Sequence, residues 1–162
     1  MPGPKSEIVE PGHQLEWAWI LASASKLLKL DLADIAKSLV RVPEVHGLQA
    51  TTQAVFNAIT KDGSPLDDGS RTWPNTERLK AGVALYELFG QDTKPMINTT
   101  LDLMFDRYLL HTPRGGCPRG GWHDAFDRDG RPIATAMPTS TFYHIFLAFA
   151  EVRRVADGLN RL

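Results

Sequence analysis

His13, Glu16 and Trp17 stand at i, i+3 and i+4 within Glu10-Pro11-Gly12-His13-Gln14-Leu15-Glu16-Trp17-Ala18-Trp19. On a helix these three, with Ile20, share one face. An imidazole titrates near neutrality, so it can take a proton and return it elsewhere. A carboxylate one turn along can fix its tautomer, and a Trp face offers a flat surface for the C–H side of a sugar ring. Glu77 and His144 repeat the theme early in two later apolar runs, with Trp73 and Trp122 upstream of them. Gathered in one cup, two imidazoles and two carboxylates suit proton transfer on a neutral polyol. Removing the proton α to an aldehyde and returning it gives aldose–ketose isomerisation or 2-epimerisation. The same groups could first open the ring, with one proton to the ring oxygen and another taken from the anomeric hydroxyl. This chemistry calls for no metal and no cofactor.

Each residue also has an ordinary structural explanation. His144 could be a core histidine bonded to a backbone carbonyl. Glu77 could form a salt bridge with Arg71, and the Trp residues could be core. His13-x-x-Glu16 has helical metal-ligand spacing, but no third ligand is compelling. Glu16 and Glu77 could be the carboxylate pair of a glycoside hydrolase, a reading that leaves both histidines unexplained. His46, His111 and His123 read as surface or loop residues.

The chain that must position these groups has 162 residues, 43% hydrophobic and 23% charged. That is enough for one domain with a real core, so residues 1–162 read as a single unit. A formal net charge of −1, without long runs of one sign, argues against nucleic acid or an anionic membrane as partner. Cys117 is the only cysteine, which fits a reducing, cytoplasmic setting. The first residues carry no apolar segment of the signal-peptide kind.

Residues 1–12 read as an irregular lead-in, with Glu7 to Glu10 as a strand end lacking an upstream partner. A helix follows from about His13 to Leu30, its stretch Trp17 to Ala22 apolar nearly all round. Asp31 is placed to cap a second helix whose stripe is Leu32, Ile35, Ala36, Leu39 and Val40, ending near Pro43 or His46-Gly47. Residues 54–59 and Asp62-Gly63 read as a strand and tight turn. Pro74 begins a third helix that stops at Gly90, with Ala81 to Tyr86 again apolar nearly all round. A fourth, with the stripe Ile97, Leu101, Met104, Phe105 and Tyr108, begins near Pro95. A Gly-rich loop and hairpin occupy 112–137, with a strand over 121–126 and a turn at Asp127 to Gly130. The loop lacks a Gly-Lys-Ser/Thr ending, so Arg114 and Arg119 make a weak case for anion binding. The last helix opens at Pro138-Thr139-Ser140 and runs to about Gly158.

The order is buried helix, surface helix, hairpin, given twice and followed by a final buried helix. His13, Glu77 and His144 recur at this period, each early in its helix. Units of this kind must stack to bury their faces, and the closed solution is a double ring of inner and outer helices. The polar residues would then meet at one mouth of the lumen.

Four segments together resemble the N-acylglucosamine 2-epimerase family. They are Glu10 to Trp19; Arg71-Thr72-Trp73-Pro74-Asn75-Thr76-Glu77; Gly121-Trp122-His123-Asp124 with Asp127 to Pro132; and Pro138-Thr139-Ser140-Thr141-Phe142-Tyr143-His144. The resemblance implies an all-α fold, part of an (α/α)6 barrel, with about five alternating inner and outer helices and short hairpins between units. It implies metal-independent acid/base catalysis on a sugar, with His13 and His144 transferring protons. Glu16 and Glu77 would assist in sugar binding and ring opening. Trp73 would stack on the sugar, with Arg71, Trp17 and Trp122 as further substrate contacts. Family members are more than twice this long, so the chain reads as their C-terminal part and as incomplete for turnover. Its expected partners are a small-molecule sugar and either a second copy or the missing N-terminal half. A non-catalytic partial barrel acting as an assembly module is the alternative.

Overall fold

The computed structural model describes residues 7–109 and 117–159. His111 and the loop residues 113–116, Arg114 among them, lie outside the described residues. Five helices carry the architecture: α1 (Pro11–Leu28), α2 (Ala33–His46), α3 (Thr72–Phe89), α4 (Lys94–Leu103) and α5 (Thr139–Leu159). Short strands connect them: β1 (Ile8–Val9), β2 (Ala58–Thr60), β3 (Pro65–Asp67), β4 (Ser70–Arg71) and β5 (Ala125–Phe126). Among the described residues no helix is long and apolar enough to cross a membrane.

The third helix is the centre of the fold. Every residue from Pro74 to Leu85 is buried, with Thr72 as well. It packs against α1 on one side, α5 on the other and α4 behind. Leu79 and Val83 enter one apolar cluster with Ile97, Met104, Ala148 and Val155. Ala81 and Leu85 enter a second with Leu15, Ala18 and Val40. A helix surrounded on all sides needs apolar residues all round, which its second half from Ala81 to Leu85 shows, while the first half buries Asn75, Glu77, Arg78 and Lys80 against polar partners. Gly90 ends it in the left-handed region, at φ 63°, where a residue without Cβ carries no steric cost.

The flanking helices depart from expectation. Both α1 and α5 read as buried helices, yet each buries only one face. Leu27 is 81% exposed and Trp17 54%, while Phe142 and Phe146 of α5 are 58% and 61% exposed. The cause is position: each is the end of an open arc, with α3 on one side and, among the described residues, no further inner helix on the other. α2 and α4 lie outside this arc. In α2 the buried stripe is Ala36, Val40 and Pro43, and Ile35 faces solvent. The helix runs through Pro43 to His46. At the end of α4 a π-helical turn, Met104–Tyr108, adds a residue and turns Phe105 outward while Met104 and Tyr108 stay buried.

The strands also correct the sequence reading. β1 has a partner, and it lies downstream: Ile8 pairs with Thr60 and Val9 with Ile59, antiparallel to β2, which in turn pairs with β3. The strand expected over 54–59 starts only at Ala58. Val55 is drawn away by a bridge to Leu48 and by the Asn75 side chain, which accepts its N–H at 3.0 Å. The strand expected over 121–126 shrinks to β5, which pairs with β4 across the chain. Its return survives as a bridge from Phe126 to Pro132, and Gly130 (φ 78°) makes the turn.

Candidate active site

The site is built where α1, α3 and α5 begin. Glu10 is the N-cap of α1 in extended conformation, and Pro11 occupies the first turn. An N-cap side chain and the side chain three residues on face each other. Glu10 and His13 use that geometry, with the Glu10 carboxylate on His13 Nδ1. The sequence reading gave this role to Glu16; the cap geometry gives it to Glu10, and Glu16 lines the cavity instead.

Trp73 sits in the first turn of α3, held by what surrounds it. A Cβ at Gly12 would lie 2.7 Å from Trp73 Cη2 and 2.9 Å from Pro74 Cβ, so the indole fits only because residue 12 is glycine. The N-terminus of α3 is tied to the hairpin: Thr72 N–H donates to the Asp124 carbonyl at 2.9 Å, and its hydroxyl to the His123 carbonyl at 2.7 Å. Beneath lies a buried network. The Tyr108 hydroxyl bonds Ser70 Oγ at 2.7 Å, and Asn75 Nδ2 lies within 3.1 Å of both. Burial above all pushes the Tyr108 phenol up to about 12, so it serves as a neutral strut.

His144, 8% exposed, projects from the second turn of α5. Its Nδ1 lies 2.5 Å from Oε1 of Glu77, which is fully buried on α3. Glu77 therefore does not pair with Arg71, one of the ordinary explanations its sequence position allowed. Its second oxygen lies 2.7 Å from Nζ of Lys80, also buried, and has no hydrogen-bond partner in proper alignment. The Trp73 ring stands between the two histidines, with centroids 5.0 Å from His13 and 5.6 Å from His144.

These groups face one open cavity of about 250 Å³. His13 and Glu16 line it from α1, Arg71 and Trp73 from the start of α3, and Asp124, Ser140, Thr141, Tyr143 and His144 from the hairpin and α5. The volume lies just under the usual range for drug-sized ligands, roughly 300–1,000 Å³, and suits a small polar molecule. Asp124 Oδ1 accepts the Thr141 hydroxyl at 2.7 Å and the Trp122 indole N–H at 3.3 Å. Tyr143 stacks against His144 with centroids 3.9 Å apart. Burial, then the Glu16 and Glu77 carboxylates, raise its phenol above the ordinary value of 10 and keep it a proton-bearing donor.

The structure thus brings His13, Glu16, Arg71, Trp73 and His144 to one cavity, with Glu77 directly behind. It does not bring Trp17 or Trp122 there. Trp17 lines an adjoining groove that shares His13 with the cavity and also includes Ile8, Val9, Glu10 and Leu39, and Trp122 lies beside Phe142 at 6.4 Å. Sequence reasoning missed Glu10, Lys80, Asp124 and Tyr143. Two had a signal: Glu10 stands at N-cap spacing from His13, and Lys80 at i+3 from Glu77. The metal spacing of His13-x-x-Glu16 is not realised. Glu16, Glu77 and His144 instead offer atoms within 4.8 Å of one another, and Lys80 already supplies Glu77 with a positive charge.

An arc of three inner and two outer helices, with its polar groups at the inner N-termini, defines part of an (α/α)6 barrel. The chain belongs to the N-acylglucosamine 2-epimerase (GlcNAc 2-epimerase) family, whose model matches residues 3–148. It is 32% identical over 177 residues to the mannose-6-phosphate isomerase of Rhizobium meliloti (strain 1021), covering 99% of this chain and 41% of that protein. Among solved structures, D-mannose isomerase superposes with a TM-score of 0.80 at 21% identity, over 91% of this chain and 37% of that one. Cellobiose 2-epimerase from Spirochaeta thermophila DSM 6192 gives 0.79 at 20%, over 93% and 39%. The chain spans about two-fifths of the length of these relatives.

Proposed function

We propose that the chain carries the acid/base groups of a metal-independent sugar isomerase or 2-epimerase acting on a mannose- or glucose-type substrate. The observation that carries this reading is the symmetry of the two imidazoles. Each has Nδ1 against a carboxylate, Glu10 for His13 and Glu77 for His144, and they flank the Trp73 indole at one cavity. Nε2 is then the nitrogen left to each for the substrate. A sugar lying against Trp73 would have a base on one side and an acid on the other. That arrangement moves a proton between C1 and C2, or returns it to C2 from the opposite face. Arg71, Glu16, Asp124 and Tyr143 would bind hydroxyls. A cytoplasmic setting belongs to the same reading, and rests on the single, buried cysteine.

Because the chain spans about two-fifths of its relatives, turnover would require the remaining wall of the cavity. The test is deuterium incorporation at C2 of mannose, glucose and fructose in D2O. The comparison is the chain alone against a fusion to the preceding segment of the Rhizobium relative. The fusion should exchange and the chain alone should not. His13→Asn or His144→Asn in the fusion should slow exchange by roughly 10²–10⁴-fold. Near-normal exchange in either variant would sink the reading.

The exposed outer faces of α1 and α5 favour a second reading, a partial barrel that assembles with further helices. Leu27 on α1 and Phe142, Phe146 and Leu147 on α5 are open to solvent there, and apolar side chains exposed on a helix face suit contact with further helices. Sedimentation of the chain alone as a well-folded monomer at all concentrations would count against assembly.

A further inference from the structure

Lys80 is 1% exposed, among the least accessible side chains of the protein. A long, flexible ammonium is rarely buried this deeply unless it is paired. Its Nζ has two neighbours. One is Glu77 Oε2 at 2.7 Å. The other is the face of Trp19 on α1, 4.4 Å from the ring centroid, a cation–π contact that fixes the direction of the ammonium. Nothing in the acid/base reading uses this group. We propose that Lys80 is a positioning residue: it holds Glu77 ionised so that His144 rests as a neutral imidazole with Nδ1–H on Glu77 and Nε2 free for the substrate.

Charge counting supports this. A buried carboxylate and imidazole with no other charge nearby are neutral when the imidazole is protonated, and an imidazolium there cannot act as a base. Adding one buried ammonium makes the trio neutral when the imidazole is not protonated. Taking on a proton then creates a net charge in a site where charge is costly. The other groups around the pair are Glu16 and His13 from α1, Tyr143 from α5, and Asp124 and Arg71 at the rim. Glu16, with an atom within 4.8 Å of Glu77 and His144, and Asp124 oppose Lys80 in sign; both are partly solvated, so water screens them where it does not screen Lys80. Lys80 is shielded from water and pairs directly with Glu77, at 2.7 Å. The proposal rests on His144 being one of the proton-transferring pair.

The experiment reads His144 directly in the 162-residue chain, with no turnover required. The ¹⁵N and ¹H signals of its ring are followed against pH in the parent, Lys80→Met and Lys80→Arg. In Lys80→Met the titration should move to higher pH by about one unit, and Lys80→Arg should restore the parent curve. A Lys80→Met curve that overlays the parent overturns the proposal, because a merely structural ion pair would leave the imidazole unmoved. If Lys80→Met does not fold, Lys80→Met with Glu77→Gln removes both charges. Recovery of the fold supports charge balance at Glu77; failure of both variants assigns Lys80 to packing and overturns the proposal. The deuterium exchange of His144→Asn separately decides whether His144 transfers protons, so the two readings can fail independently.

Discussion

Gly12 shows how a single backbone position sets the site. It lies between Pro11 and His13, and the space a side chain would take belongs to Trp73. Gly12→Ala should favour helix locally yet overpack against the indole and Pro74. The expected loss is about 1–3 kcal/mol of stability, with a change in tryptophan emission. Unfolding by urea followed by fluorescence checks both, and a variant as stable as the parent would remove Gly12 from the account. Tyr143 makes a different point. Burial and two carboxylates raise its phenol, so it should stay protonated beyond pH 10 and remain a hydrogen-bond donor across the working range. Ultraviolet difference titration of the parent against Tyr143→Phe isolates it from Tyr86 and Tyr108. Ionisation of the subtracted phenol below 10 would contradict the assigned electrostatics.

Ion pairs that join elements are not equivalent. Arg78 of α3, 3% exposed, makes two parallel hydrogen bonds to Glu44 of α2, at 2.7 and 2.8 Å. Its third nitrogen reaches the Gln53 carbonyl and Thr100 Oγ1. Glu44 keeps some access to water and Arg78 does not. Removing Glu44 strands a buried cation, whereas removing Arg78 leaves a carboxylate that can rehydrate. Glu44→Ala should therefore cost about 3–5 kcal/mol and Arg78→Met less; denaturant midpoints giving the reverse order would refute the asymmetry. The same elements show what the sequence could reveal. α3 was legible because the stretch Ala81 to Leu85 of a helix surrounded on every side is apolar on every side. Pro74 and Gly90 marked its ends by local chemistry alone. α1 and α5 were read as buried helices, yet each leaves a face open, because composition records a helix's intended neighbours and not whether this chain supplies them. The partner of β1 was illegible for another reason: it lies about fifty residues downstream, and a strand of two residues has no periodicity to read. At the site, His13, Glu77 and His144 were legible from their recurrence. The carboxylate on each imidazole was not, since that depends on which way a side chain turns.

At the scale of the whole molecule, the three inner helices are held together at their two ends by different means. At the mouth, the α1, α3 and α5 N-termini meet through His13, Trp73 and His144. At the other end, Arg154 of α5 grips Glu87 of α3 through two hydrogen bonds of 2.8 and 2.7 Å, and Lys26 of α1 lies 3.9 Å from the same carboxylate. The Arg154 hydrogen bonds, more than the coulombic pull of Arg154 and Lys26, hold Glu87 below its ordinary value of 4.5 despite some burial. The group is thus more acidic folded than unfolded. It adds stability in full above 4.5, and that stability is lost as pH falls through its lower folded value. The pair is partly solvated, so its worth is modest, about 0.5–1 kcal/mol. Arg154→Met should lower the urea midpoint at neutral pH, and the gap to the parent should close as the solution is acidified below 4.5. A gap that stayed constant with pH would mean that Arg154 contributes packing along its stem and not the charge that joins these helices.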